Sequence, residues 1–455
     1  MTENREHFGS RLAVILAMAG SAIGLGNLWR FPYIVGEHGG AVFIIVYTIA
    51  TLLVSLPVFL AEVIIGRRSH TNARDAFARL SGQHPFWKAA GWLTILIPML
   101  ISSYYSVIGG WSMEYFFKSC GFAFSRMTPE AASGIFSGFV SSTWTPVLMH
   151  LLFFAATVGV VAGGVRAGIE KFSKITLPAL FVMIIFILVY SVTLPGAGAG
   201  VRYLLHPDWS ELTPRTFAYA MGQSFFSLSL GMGAIITYGS YVKREENILV
   251  TGVGTAVSDL LFAILAGFAI MPAVFAAGIE PGAGPGLIFQ SIPYVFAKMG
   301  ADLPVLSGIA SIVFFLSVIV AAMTSSISLV EVGASFLMER TGMSRGRACL
   351  LIFAVCGGLG VLCSLSFGPL AGVKLAGMTL FDLLDWSCSN ILLLVMALLA
   401  VIFVGFVLKR SEVRDEFTSG RAHAFNDRIF PLVWFLIKWV APVAVVIIFF
   451  TNFIL

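Results

Sequence analysis

Along this chain, runs of apolar positions far longer than a soluble helix needs are separated by short connections that hold most of the charged residues. A helix needs ~20 apolar residues to cross a hydrocarbon core ~30 Å thick. Eleven such runs are read, at about 11–35, 41–66, 88–117, 146–163, 171–194, 214–241, 247–277, 305–338, 348–367, 377–408 and 429–453. The pattern predicts an all-α integral membrane protein with broken first and sixth helices. An odd number of crossings puts the termini on opposite sides.

The first and sixth runs are spoiled near their centres. The first contains "AGSAIGLGNLWRFP" (19–32), and the sixth contains "GQSFFSLSLGMGAIITYGSY" (222–241), interrupted at "SLSLGMG". Backbone freed inside a bilayer costs several kcal/mol per unpaired group, so it survives only where protein buries it or where it lines a cavity. Freed carbonyls suit cations, and half-helix N-termini offer amides to an anionic group. Two Gly-broken spans five helices apart predict an inverted repeat of five spans, with a binding site near the midplane. Repeat 1 is placed at about 11–194 and repeat 2 at about 214–408, with an extra helix at 429–453. No polar linker divides the chain, so residues 1–455 are read as one transmembrane domain.

Composition sharpens this picture. With 58% hydrophobic and 11% charged residues, the chain lies outside the range of soluble globular domains. Of its 28 Lys and Arg residues, 20 fall in connections on the side of the N-terminus and six on the other. The positive-inside rule then makes the N-terminus cytoplasmic and the C-terminus external in a cell inner (plasma) membrane. The net charge of +5 follows from this topology, and no nucleic-acid partner is implied. The N-terminal segment lacks a small-residue cleavage pattern and is expected to stay. Cys349, Cys356 and Cys363 recur every seven residues but read best as small buried hydrophobes, not as a metal stripe. The seven histidines form no HExxH or other enzymatic arrangement, so an enzyme is not expected. An ion channel would show a pore loop and symmetry between subunits, not a repeat within one chain.

"AGSAIGLGNLWRFPY" and "FFSLSLGMGAIITYGSY" resemble the neurotransmitter:sodium symporter family, whose bacterial amino-acid transporters share the leucine-transporter fold. The resemblance covers essentially the whole chain. It implies sodium-coupled symport of an amino acid by alternating access, with two sodium ions, a small-molecule substrate, surrounding lipid and no obligate protein partner. The implied ligands of the first sodium ion are the Ala22 carbonyl, Asn27, Ser227 and an acidic or amide residue in the seventh span. That last position can be registered on Ser258 or on Asp259, and Asp259 agrees better with the family. The implied second site takes carbonyls of Gly20, Ile23 and Ala321 with the hydroxyls of Thr324 and Ser325.

For the substrate, the resemblance implies a carboxylate held by the amides of Leu25 and Gly26 and by the Tyr105 hydroxyl. Gly24 stands where amine transporters carry Asp, which points to an amino acid. Ala22, Ile101, Phe226, Ser227, Ser229, Met232, Ser325, Ser326 and Leu329 complete the implied pocket, and its character suggests hydrophobic or aromatic L-amino acids. Asp259 supplies a fixed negative charge where animal relatives hold chloride, implying chloride-independent transport. Arg30 and Asp385 are expected to form the outer gate, with Phe226 as a lid. Arg5 and Glu339 are expected to form the inner gate, with Phe8, Ser240 and Tyr241 nearby. Glu62 is expected to satisfy freed amides. Gly168 and Pro178, ten apart, mark either a turn that can unwind or an ordinary helix-start proline. A proton-coupled or exchange-type transporter of the same fold is the nearest alternative.

Overall fold

In a computed structural model, residues 6–278, 287–300 and 302–454 are described, and among these the chain is almost wholly helical, with one isolated β-bridge between Leu375 and Met378. Nine helices among the described residues are long and apolar enough to cross a membrane. They are α3 (Ala41–Ser69), α4 (Pro85–Cys120), α5 (Trp144–Ala162), α6 (Val165–Val192), α9 (Ile248–Ala276), α10 (Pro304–Thr341), α11 (Arg345–Leu365), α12 (Leu380–Val407) and α13 (Ala424–Thr451). A tenth span is the bent pair α1 (Arg11–Ala22) and α2 (Gly26–Glu37), which meet at 52°. The eleventh is divided into α7 (Pro214–Ser227) and α8 (Ala234–Gly239). The fold is therefore the expected one, with the first and sixth crossings broken.

Local chemistry explains both breaks. At the first, Ile23 leaves the helix with φ −72° and ψ 101°, and its amide closes the last turn onto the Ala19 carbonyl at 2.7 Å. At the second, Ser229, Gly231 and Gly233 all have positive φ. Only Gly takes that region without a Cβ penalty, and a side chain on Gly231 or Gly233 would also run into the backbone of Leu393 or Thr94. Glu62, wholly buried in α3, accepts from the freed Gly231 amide at 2.7 Å, the task expected of it.

The long outer connections are more ordered than their Gly, Pro and Ser content suggests. They hold helices at Pro129–Ser141, Ala197–Leu205 and Ile292–Gly300. Gly200 lets its helix approach the backbone of Pro272.

Candidate functional site

The two breaks face each other, and the residues expected to bind the first ion converge there. Asn27 donates through Nδ2 to Asp259 Oδ1 at 2.7 Å and to Ser227 Oγ at 3.1 Å. Ser227 donates in turn to the Asp259 carboxylate at 2.7 and 2.9 Å. All three are buried. Of the two registers open in the sequence, Asp259 is the one that meets the break, since Ser258 donates to the Gly254 carbonyl of its own helix at 2.7 Å. Tyr47 reaches the same carboxylate at 3.4 Å. An ionisable group deep in a membrane protein is held this way because hydrogen bonds replace the water it has lost.

The residues expected around the second ion also meet. Thr324 donates to the Ile23 carbonyl at 3.0 Å and to the Ala321 carbonyl at 2.9 Å. Ser325 donates to the Ser21 carbonyl at 3.0 Å, a position next to the predicted Gly20 and Ala22 carbonyls. A side chain built on Gly20 would come 3.7 Å from Thr324 Cβ and 3.5 Å from Ser173 Oγ, so the break, α10 and α6 share one corner. The oxygens gathered here are carbonyls and hydroxyls, donors suited to a hard cation.

Between these corners lies a small cavity of about 30 Å³, lined by Ala22, Gly24, Gly26, Ile101, Tyr105, Phe226, Ser229, Met232, Ser325 and Leu329. Every one of these residues was expected at a substrate pocket. The Tyr105 hydroxyl accepts from the Leu25 amide at 3.2 Å. Ser326 is buried but does not line the cavity, and Ser227 turns toward Asp259. Gly24 approaches so closely that a Cβ there would overlap the Ser325 hydroxyl and lie 3.2 Å from the Tyr105 oxygen.

Above Phe226 is a second cavity of about 200 Å³, which Arg30 and Asp385 both line. The expected ion pair between them is not closed. Arg30 lies over the Phe226 ring at 4.9 Å, and Asp385 accepts from Ser389 at 3.2 Å. The open space separates the charges, while Phe226 lines both cavities.

The opposite side is laced shut. Of the pair expected there, Arg5 lies outside the described residues, and Glu339 accepts from the Asn72 amide at 2.9 Å and from Thr71 Oγ1 at 3.0 Å. The network instead centres on Glu331, which accepts from Tyr241 and from Arg345, both at 2.6 Å. Phe8 is buried edge-on against Tyr238 and Tyr241, with ring centroids 5.8 and 6.1 Å away. Ser240 stays close to its own helix, donating to the Thr237 carbonyl. The N-terminal strap is also tied to the start of α6: Glu6 accepts from Val165, Gly9 donates to Glu170 at 2.9 Å, and Arg166 donates to the His7 carbonyl at 2.8 Å. Residues 165–170 form a wider helical turn, but α6 runs on through Pro178 without a break. Gly168 is required there because a Cβ would overlap the Val160 carbonyl.

Sequence reasoning missed Glu331, Arg345 and Gln223. Gln223 donates to the Gly26 carbonyl at 2.9 Å, which also accepts from the Phe31 amide, and so ties the sixth crossing to the first break. Glu331 carried a usable signal, a carboxylate inside an apolar span. Arg345 and Gln223 carried none that separates them from a helix start and a polar helix face.

Two facing helix breaks, oxygen-lined corners and a small central cavity define the class as a membrane transporter. Residues 5–129 and 137–455 match the sodium:neurotransmitter symporter family, and the chain belongs to it. An uncharacterised sodium-dependent transporter of Haemophilus influenzae is 36% identical, covering 99% of this chain and all of the relative. A second such transporter, from Bacillus subtilis, is also 36% identical over 97% of this chain and 96% of its own. Among solved structures, MhsT in complex with L-phenylalanine is similar, with TM-score 0.88 and 38% identity over 99% of this chain and 100% of that one. The protein is thus a multi-pass, sodium-dependent transporter of small molecules and not an enzyme.

Proposed function

We propose that this chain takes up hydrophobic L-amino acids, aromatic ones included, together with two sodium ions and without chloride. The observation that carries the reading is the makeup of the central cavity: its lining holds freed backbone and hydroxyls but no acidic or basic side chain. The substrate therefore brings its own carboxylate, which the Leu25 and Gly26 amides, Tyr105 and the first ion receive. Ile101, Leu329, Phe226 and the flexible thioether of Met232 meet the apolar side chain. The likeness to MhsT, crystallised with L-phenylalanine, supports the same class.

The ions bind at Ala22, Asn27, Ser227 and Asp259, and at Gly20, Ile23, Ala321, Thr324 and Ser325. The Asp259 carboxylate balances the ions' charge and makes chloride unnecessary. The chain works as one domain with its two five-span repeats rocking about the site, its N-terminus cytoplasmic in the inner membrane. Arg30 and Asp385 close over Phe226 after loading, and the turn between Gly168 and Pro178 unwinds to release the second ion.

The test is uptake of labelled L-phenylalanine into proteoliposomes under a sodium gradient, with gluconate replacing chloride. Concentrative uptake in sodium, abolished in potassium and unchanged in gluconate, is expected. Uptake driven equally by a proton gradient in potassium, or passive sodium flux without substrate, contradicts the reading. Chloride-stimulated uptake, or normal chloride-free uptake by Asp259→Asn, contradicts the role of Asp259.

A further inference from the structure

A short helix, Arg410–Thr418, follows α12 directly and leads through a turn into α13. One side of it is fixed to the body of the protein. Val413, Glu416 and Phe417 are buried, and Glu416 is gripped by Arg67, itself fully buried, which also donates to the Glu246 carbonyl at 2.6 Å.

The other side carries an unusual density of positive charge. Arg410, Arg414 and Arg421, with Ser411, Asp415 and Thr418, line an open cavity of about 470 Å³. Arg410 and Arg414 stand one helical turn apart, a spacing at which like charges repel. The nearby acids do not discharge the cavity. Asp427 binds Arg414 two-pronged at 2.7 and 2.8 Å, Asp415 pairs with Arg244 at 2.6 Å, and Glu412 pairs with Arg68 at 3.3 Å. Arg410 and Arg421 form no ion pair among the described residues; Arg410 lies 6.0 Å from the Phe430 ring.

The flanking spans show what could reach these arginines. Phe406 at the end of α12, and Phe435 and Trp439 in α13, are each about half exposed on helices long and apolar enough to cross a membrane. Between them Lys438 sits 4.8 Å from the Phe406 ring and 5.7 Å from Trp434 and Trp439. Lys438 lies midway along α13 but beside the end of α12, and a lysine so placed keeps its stem in hydrocarbon while its charge reaches toward phosphate.

We propose that the Arg410–Arg414–Arg421 cavity binds the phosphate headgroup of an anionic phospholipid. Its phosphate oxygens take guanidinium donors from Arg410 and Arg421, with Arg414 and the Ser411 hydroxyl beside them, in the planar geometry that suits arginine. Its acyl chains lie along the exposed faces of α12 and α13. A bound lipid relieves the repulsion within the helix and ties the last two spans to the short helix between them. Basic clusters directly beside transmembrane helices are suited to this use.

The experiment is native mass spectrometry of the full chain with dioleoylphosphatidylglycerol, dioleoylphosphatidylcholine or inorganic phosphate alone. It is repeated on Arg410→Gln/Arg421→Gln, whose thermal unfolding in phosphatidylcholine should match wild type because neither residue is buried. Wild type should retain phosphatidylglycerol, and the double variant about thirtyfold less at equal lipid, as expected for two surface charges. Retention of phosphatidylcholine as strong as phosphatidylglycerol overturns the proposal, as does equal retention by the double variant. Displacement of the lipid by phosphate at equal concentration overturns it too, by assigning the cavity to a soluble anion.

Discussion

The two ends of the transport pathway are built differently. The end on the side of the N-terminus, proposed as the inner one, is held by a charged network in which Glu331, Tyr241 and Arg345 meet at 2.6 Å beside the edge-packed ring of Phe8. At the outer end Arg30 and Asp385 share a cavity of about 200 Å³, and the barrier is a single aromatic ring. A buried charge pair is costly to break from one side, whereas solvated charges are worth little until water leaves. The contrast implies that the inner side resists opening and that the outer side waits on the substrate.

Breaking the inner network should have the largest effect. Glu331→Ala removes the acceptor that Tyr241 and Arg345 share, and because Arg345 is 13% exposed and keeps Glu6 at 3.7 Å a loss of about 3 kcal/mol, the low end for a buried pair, is expected. Thermal unfolding should fall accordingly, and a cysteine placed at Ser240 should become reactive to a soluble reagent. An unchanged melting temperature would show that the network does not hold the inner side. Gly24→Ala comes next. Its Cβ collides with Ser325 and crowds Tyr105, costing about 1–3 kcal/mol as overpacking does, and substrate binding should be lost while the fold survives. Retained phenylalanine binding would remove Gly24 from the site.

Thr324→Val probes a subtler link, one hydroxyl on the Ile23 carbonyl. A net hydrogen bond of about 1 kcal/mol predicts a roughly fivefold rise in the sodium concentration giving half-maximal uptake. No change in sodium dependence would leave that corner a packing contact. The smallest effect is expected at the outer gate. In a double-mutant cycle of Arg30→Gln and Asp385→Asn, coupling in stability should stay below about 1 kcal/mol in the absence of substrate. A larger value would mean that the outer end is closed as firmly as the inner one.

Much of this was readable from the sequence, for identifiable reasons. Long apolar runs and Gly clusters are one-dimensional signals, so the crossings and both breaks appear where expected, with ends displaced by a turn or so; the last span begins at Ala424 and not near 429. Residues that act through local backbone, such as Gly24, Ile23 and Gly231, were also accessible. Contacts between distant side chains were not. Glu331 stands out as a carboxylate inside an apolar span, but its partner Arg345 does not, and the two meet only because α10 and α11 pack around Tyr241. Arg30 and Asp385 were paired by charge alone, and charge does not reveal the space between them. The order of the outer connections was missed because their helices are short and owe their stability to packing on spans far away in the chain.

The central claim is that the two helix breaks are kept open by one another and completed by ions and substrate. Hydrogen exchange of peptides covering residues 19–31 and 224–236 tests it most directly, in potassium, in sodium, and in sodium with L-phenylalanine. Both breaks should gain protection in sodium and more when phenylalanine is added, with no gain in potassium. Protection that is the same in all three conditions, or that potassium produces equally well, would contradict the account.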